Sequence, residues 1–217
     1  KNKKMISVGY IHDLMPFPIY YAPLDGLPDI LLVHSLDQKK YFIKYLKWPK
    51  KNIKLIPSMR FLRKKKNLDG KIFLPHTIVN FDRITSEFEN FLQNSKKKSI
   101  QKLNIKIHPT SENIKEQLKL KSKLESIMEN YGDRFSNSIK YKLAVAIGLT
   151  SAVVEILEHD VKVLHICGEP LFESYTGLFW PSIKINPINK YTYFYKIAKK
   201  GASIRFGKKI NQLKKYC

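Results

Sequence analysis

The sequence predicts an α/β fold built on a parallel sheet, on three observations. From about Lys71 onward, short apolar runs alternate with amphipathic stretches of helical period, as strands joined by crossover helices do. The run Leu143-Ala144-Val145-Ala146-Ile147 is continuously apolar, as a strand buried on both faces requires. Gly148 follows it at once and turns the chain into another helical period, with Leu149, Val153, Ile156 and Leu157 on one face.

Residues 6–12 and 29–34 read as strands, separated by a Pro-rich loop, Met15-Pro16-Phe17-Pro18. A helix over 37–46 and a third short strand over 52–57 follow. Three strands and one helix are too few for a domain of ordinary stability. Residues 1–66 are therefore expected to be the tail of a preceding α/β domain, with the boundary in the charged, weakly patterned stretch 63–69. The rest, 67–217, is expected to form one Rossmann-like domain.

Its elements follow in order. Residues 71–79 read as a strand interrupted by Pro75. A helix carries Ile84, Phe88, Phe91 and Leu92 inward at i, i+4, i+7, i+8. Leu103-Asn104-Ile105-Lys106-Ile107-His108 alternates as a strand and ends at Pro109. Thr110 or Ser111 is placed to cap the next helix, whose apolar face is Ile114, Leu118, Leu124, Ile127 and Met128. After the strand at 143–147 and its helix come a strand at 161–166, a strand near 182–185, a helix around 191–199 and a short strand at 202–206.

The chain has 217 residues, 43% of them hydrophobic, and a net charge of +22. That apolar content suffices for a core and excludes global disorder. The charge fits attraction to anionic lipid or acidic glycan, nucleic-acid binding, or a lysine-rich solvated surface. No aromatic-interleaved RNA motif accompanies the lysines, which disfavours nucleic acid. Cys167 and Cys217 lack zinc or CxxC spacing, and no stretch reaches the roughly 18 apolar residues of a membrane span. The start, Lys1 leading into Ile6-Ser7-Val8, reads as the middle of a longer protein without a signal peptide. A cytoplasmic location is expected, with peripheral contact at the inner face of the membrane.

Two turns carry the best chemistry. Gly148-Leu149-Thr150-Ser151-Ala152 joins a buried strand to a helix, placing two hydroxyls and open N–H groups where α/β sheets bind anionic ligands. Thr150 or Ser151 reads equally well as an ordinary N-cap. The segment matches neither GxGxxG nor the P-loop pattern. His108-Pro109-Thr110 lies at another strand exit; Pro109 fixes the turn, and an imidazole there can donate to a phosphate or protonate a leaving group. His12 and Asp13 follow the first strand, where they would face a cleft, or form a surface turn. Glu169 and Glu173 suit ribose hydroxyls, or are solvated loop charges. His34, His76 and His165 read as packed, hydrogen-bonded residues, and His159 as favourable to a helix end.

On these residues the chain resembles bacterial surface-polysaccharide glycosyltransferases of GT-B architecture. Lys106-Ile107-His108-Pro109 is similar to the His-Pro motif of CMP-sugar-dependent sialyl- and Kdo-transferase groups. Gly148-Leu149-Thr150-Ser151-Ala152, with Glu155 and Val163-Leu164-His165-Ile166, resembles their phosphate-binding turn. Gly9-Tyr10-Ile11-His12-Asp13 resembles the end of their N-terminal domain, with Ile11 and Asp13 where a Gln-His-Gly is common. The resemblance implies that His108, Thr150 and Ser151 hold the phosphate of a nucleotide-sugar donor, CMP-linked by preference. It implies inverting transfer to a surface polysaccharide or lipopolysaccharide glycan. No cofactor and no metal are expected, there being no Asp-x-Asp or carboxylate cluster. The general base is expected in an absent N-terminal part, with Asp13 the one candidate here, so that this chain alone binds nucleotide and transfers nothing. A GT-B epimerase or hydrolase, and a basic nucleic-acid-binding module, are the alternatives.

Overall fold

The computed structural model describes residues 5–12, 14, 27–61, 67–111, 113–138 and 142–207. The chain divides into two compact units. The first gathers Lys1–Lys65, Thr176–Lys184 and Ala198–Cys217; the second gathers Lys66–Tyr175 and Ile185–Ile197. The chain passes between the units after Lys65, Tyr175, Lys184 and Ile197.

In the first unit, β1 (Val8–Tyr10), β2 (Ile30–Val33) and β3 (Ile53–Leu55) form a parallel sheet in that order. Between β2 and β3 runs α1 (Leu36–Lys44), capped by Ser35, whose Oγ accepts the Gln38 N–H at 3.2 Å. Leu31, Val33, Tyr41, Phe42, Trp48 and Ile53 make its core, with Phe179 packed against it. Buried polar bonds hold the returning segments in this unit. Ser182 donates its N–H (3.2 Å) and its hydroxyl to the Asp37 carboxylate. Ser35 Oγ donates to the Ala202 carbonyl at 2.9 Å, and the Ser58 N–H to that of Arg205 at 2.6 Å. Those long-range bonds have no local sequence signal, which is why 202–206 read as an element of the later domain. They form no strand, only a parallel bridge from Phe206 to Ser58.

The second unit carries a six-stranded, mostly parallel sheet. Its elements are β4 (Lys71–Phe73), α2 (Phe81–Gln93), the short β5 (Ile100–Gln101), β6 (Asn104–Lys106), α3 (Lys115–Asn130), the short β7 (Phe135–Ser136), β8 (Leu143–Ile147), α4 (Ala152–Glu158), β9 (Lys162–Ile166), α5 (Pro170–Glu173), β10 (Ile183–Pro187) and β11 (Thr192–Ile197). The sheet order is β10-β11-β9-β8-β4-β6, and β5 pairs with β7 separately. β4, β6, β8 and β9 run parallel; β11 is antiparallel to β9. The fold is therefore mixed α/β.

One face of this sheet (Ile72, Leu74, Val145, Ile147, Leu164, Ile166) packs against Ile84, Phe88 and Leu92 of α2 and Leu120, Leu124 and Ile127 of α3. The alternation places Ala144, Ala146, Val163 and His165 on the other face. Capping decides little in α3, whose N-cap Ile114 makes no side-chain bond. A good cap is worth about 1 kcal/mol, whereas each buried Leu or Ile contributes about 1.5–3 kcal/mol.

Several expected details change. Ile114 and Leu118 are exposed, and Leu120 and Gln117 take the inward positions of α3. Neither Thr110 nor Ser111 caps α3; both lie in a 3₁₀ turn, Pro109–Ser111, that precedes it. The strand expected over 71–79 ends at Phe73. Residues 192–197 are a strand, not a helix. Tyr191, Tyr195 and Ala198 fit helical spacing, but Thr, Tyr, Phe and Ile pack well on a pleated surface, and β9 supplies an edge to pair with. Among the described residues no lysine is buried, and no helix is long and apolar enough to cross a membrane.

Candidate functional site

The strand order fixes where a ligand belongs in the second unit. From β4 the chain goes to β6 on one side, then crosses back over β4 to β8 on the other. The order therefore reverses between β4 and β8, and open α/β sheets bind ligands beyond the carboxyl ends of the strands at such a point. Pro75-His76 leave β4 there and Gly148-Leu149-Thr150-Ser151 leave β8. Gly148 has φ +60°, a left-handed conformation, and an added Cβ would come 3.1 Å from Pro75 Cγ and 3.3 Å from Glu173 Oε1.

The carbonyls of this turn are held from inside. His165, fully buried, bonds the Gly148 carbonyl through Nε2 at 2.8 Å, so Nε2 carries the proton. Its Nδ1 lies 3.3 Å from the Tyr195 hydroxyl and therefore accepts from it. Burial pushes the His165 pKa down to about 4, against a weaker opposing effect of the Gly148 bond, and the ring is neutral near pH 7. Tyr175 donates its hydroxyl to the Thr150 carbonyl at 2.9 Å, and its N–H to Tyr195 Oη at 3.2 Å. Burial raises the pKa of both tyrosines, so each keeps its proton.

With the carbonyls turned inward, the donors are left over. Among the described residues, the backbone N–H groups of Leu149, Thr150 and Ser151 have no partner, and neither has the Ser151 hydroxyl. Thr150 is the local cap: its Oγ1 accepts the Ala152 N–H at 3.3 Å. The two hydroxyls thus separate into a capping one and an open one. Consecutive free N–H groups after a left-handed glycine make an anion-binding concavity.

Beside it, the exits of β4 and β6 form a second cluster. Thr110 Oγ1 lies 2.8 Å from His108 Nδ1 and 3.2 Å from His76 Nδ1, and Ser111 Oγ lies 3.0 Å from His76 Nδ1. The imidazoles stand edge to face with centroids 5.4 Å apart. The Thr110 N–H points at His108 Nδ1 (3.4 Å), which makes Nδ1 an acceptor and puts the neutral ring's proton on Nε2. Gln117, buried on α3, donates to the Pro75 carbonyl at 2.8 Å and the His76 carbonyl at 3.2 Å, and so fixes the β4 exit. His76, read from sequence as packed, is exposed and belongs to this cluster. Its signal was visible: Pro75-His76 and His108-Pro109 place a His beside a Pro after each of two strands. His34 and His165 are buried as expected.

The loop after β9 closes the other side. Glu173, only 2% exposed, accepts the N–H of Gly168 (2.6 Å) and of Glu169 (3.0 Å) on Oε2, while Oε1 is buried without a partner beside Gly148. Burial raises its pKa, partly offset by these bonds. A side chain at Gly168 would run into the Val79 carbonyl, so only glycine lets this loop approach that of β4. Glu169 caps α5, accepting the Leu171 N–H at 3.3 Å.

The second unit thus brings His108, Pro109 and Thr110 onto one sheet edge with Gly148, Thr150, Ser151 and Glu173. His12 is exposed in the first unit, and Asp13 lies outside the described residues. No cluster of three or more His, Cys, Asp or Glu that could hold a metal occurs among the described residues. No protein-family model, curated protein or solved structure matches the chain.

Proposed function

We propose that this edge binds the phosphate of a nucleotide-sugar donor, CMP-linked by preference, and that the chain is the donor-binding part of a GT-B-type glycosyltransferase acting on a surface glycan. The observation that carries the proposal is the run of unpartnered N–H groups at Leu149, Thr150 and Ser151, held open at the strand-order reversal.

When a sugar leaves its nucleotide, negative charge gathers on the departing phosphate. Fixed donors meet that charge without reorganising, which is where their effect on a barrier lies. Here the donors are main-chain N–H groups and the Ser151 hydroxyl, with His108 beside them at the neighbouring strand exit. Transfer with inversion further requires a base for the acceptor hydroxyl on the opposite side of the sugar. Asp13, outside the described residues, is the one candidate for that role in this chain.

Calorimetric titration with CMP, UDP, GDP and AMP tests the reading. One nucleotide should bind selectively, and Ser151→Ala and His108→Ala should each weaken it roughly 3- to 15-fold, the value of one hydrogen bond. Absence of binding by any of the four to folded protein would reject the phosphate site. Equal binding of all four would leave a phosphate site without donor selectivity and remove the preference for CMP.

A further inference from the structure

We propose that the groove between α2 and the β10–β11 turn, on the second unit, binds an uncharged sugar unit of a glycan chain. Its volume is about 350 Å³, at the small end of ligand pockets. Phe91 and Phe194 line it as an edge-to-face pair with centroids 6.4 Å apart, and Ile188 adds an exposed apolar flank.

The polar groups of the groove are set, and several are unspent. Glu87 Oε2 accepts Asn189 Nδ2 at 2.7 Å and Thr192 Oγ1 at 2.9 Å, which fixes the carboxylate and ties the hairpin turn to α2. Glu87 Oε1 has no partner among the described residues. The Asn90 side-chain amide has no partner among the described residues. Asn94 Nδ2 donates to the Asn90 carbonyl at 2.8 Å, leaving Asn94 Oδ1 available. The groove therefore offers acceptors and one donor–acceptor amide beside an aromatic pair.

That combination selects a ligand class by exclusion. An anion is disfavoured: among the described residues no lysine or arginine lines the groove, and Glu87 repels negative charge. A hydrocarbon would strip water from the amides and return no hydrogen bond, at a cost of about 1–3 kcal/mol for each group. A sugar ring fits both demands. Its hydroxyls donate and accept, answering Glu87, Asn90 and Asn94, while its C–H face is apolar and lies against the phenyl rings. Such a site would hold a unit of the acceptor or product chain away from the phosphate edge. That role rests on the proposed transferase function; the binding itself does not.

Saturation-transfer NMR on the whole chain with maltose, lactose and diacetylchitobiose, and with sialyllactose as the charged counterpart, tests the site. At least one neutral disaccharide should receive saturation on its ring protons. Asn90→Ala should weaken it roughly 5- to 10-fold by removing one or two hydrogen bonds. Asn90→Trp, at an exposed position, should abolish it by filling the groove. His108→Ala and saturating CMP should leave it unchanged. No transfer to any neutral probe, transfer that survives Asn90→Trp, or preference for sialyllactose would each overturn the proposal. Loss of nucleotide binding with sugar binding intact would count against the phosphate reading alone.

Discussion

The exits of β8 and β6 contain similar ingredients, a hydroxyl pair close after a turn-forming glycine or proline, but the protein treats them differently. At β8 the carbonyls of Gly148 and Thr150 are bonded by buried His165 and Tyr175, and the main-chain donors of 149–151 have no partner among the described residues. At β6 the donors are side chains on the surface, His108 and Thr110, bonded mainly to each other and to His76. The first arrangement spends its ordering cost on folding, so a ligand meets donors already in place. The second must give up some of its own bonds and rotamer freedom when a ligand arrives. The β8 turn should therefore supply most of the affinity, and the β6 exit should tune it.

The strongest way to break this asymmetry is at Gly148. Gly148→Val forces a branched residue into φ +60° and drives its Cβ toward Pro75. A loss of about 2–3 kcal/mol in urea unfolding is expected, together with loss of nucleotide binding. Unchanged stability would mean that the turn relaxes freely and is not set by its anchors.

Acid should reveal the anchor itself. His165 is held near pKa 4 when folded against an ordinary 6.5, so the unfolded chain takes up a proton first as pH falls. Stability from this group is complete above about pH 6.5 and is lost between about pH 6.5 and 4, up to roughly 3 kcal/mol. Tyr175, Tyr195 and Cys167 around the ring all have raised pKa values and stay neutral through that window. Glu173, also raised, has the opposite sign: its contribution falls as pH rises. Urea titrations across this range should show the acid-side slope shrinking in His165→Gln.

The smallest effect is expected at the β6 exit. His76→Ala removes an exposed ring that bonds two hydroxyls, so stability should move by no more than about 0.5 kcal/mol. Nucleotide affinity should fall only a few-fold by calorimetry, as Thr110 and His108 lose their brace. A loss larger than that of Ser151→Ala would reverse the ranking of the two exits.

Much of this was legible in the sequence, where the signal was local. The apolar run 143–147, the i, i+4, i+7 period of α2 and the strand-ending His108-Pro109 all appear where they were read. What failed was nonlocal. Tyr191–Lys199 satisfies a helical period and a strand composition together, and only the free edge of β9 decides between them. Thr110 and Ser111 looked like caps because capping is what such residues do before a helix. Their hydroxyls instead face His76, 34 and 35 residues away. The role of Gln117 had no signal at all, since a buried glutamine announces itself only through the carbonyls it meets.

The returning segments have a consequence for how the protein is made. Ser35 and Ser58 sit early in the chain, yet the carbonyls they bond belong to Ala202 and Arg205. A ribosome adding about 5–20 residues per second would expose the second unit nearly whole before those partners emerged. Ser35 and Ser58 thus gain these partners only after the second unit has been made. Until then, the apolar surface around Tyr41 that Phe179 covers stays open.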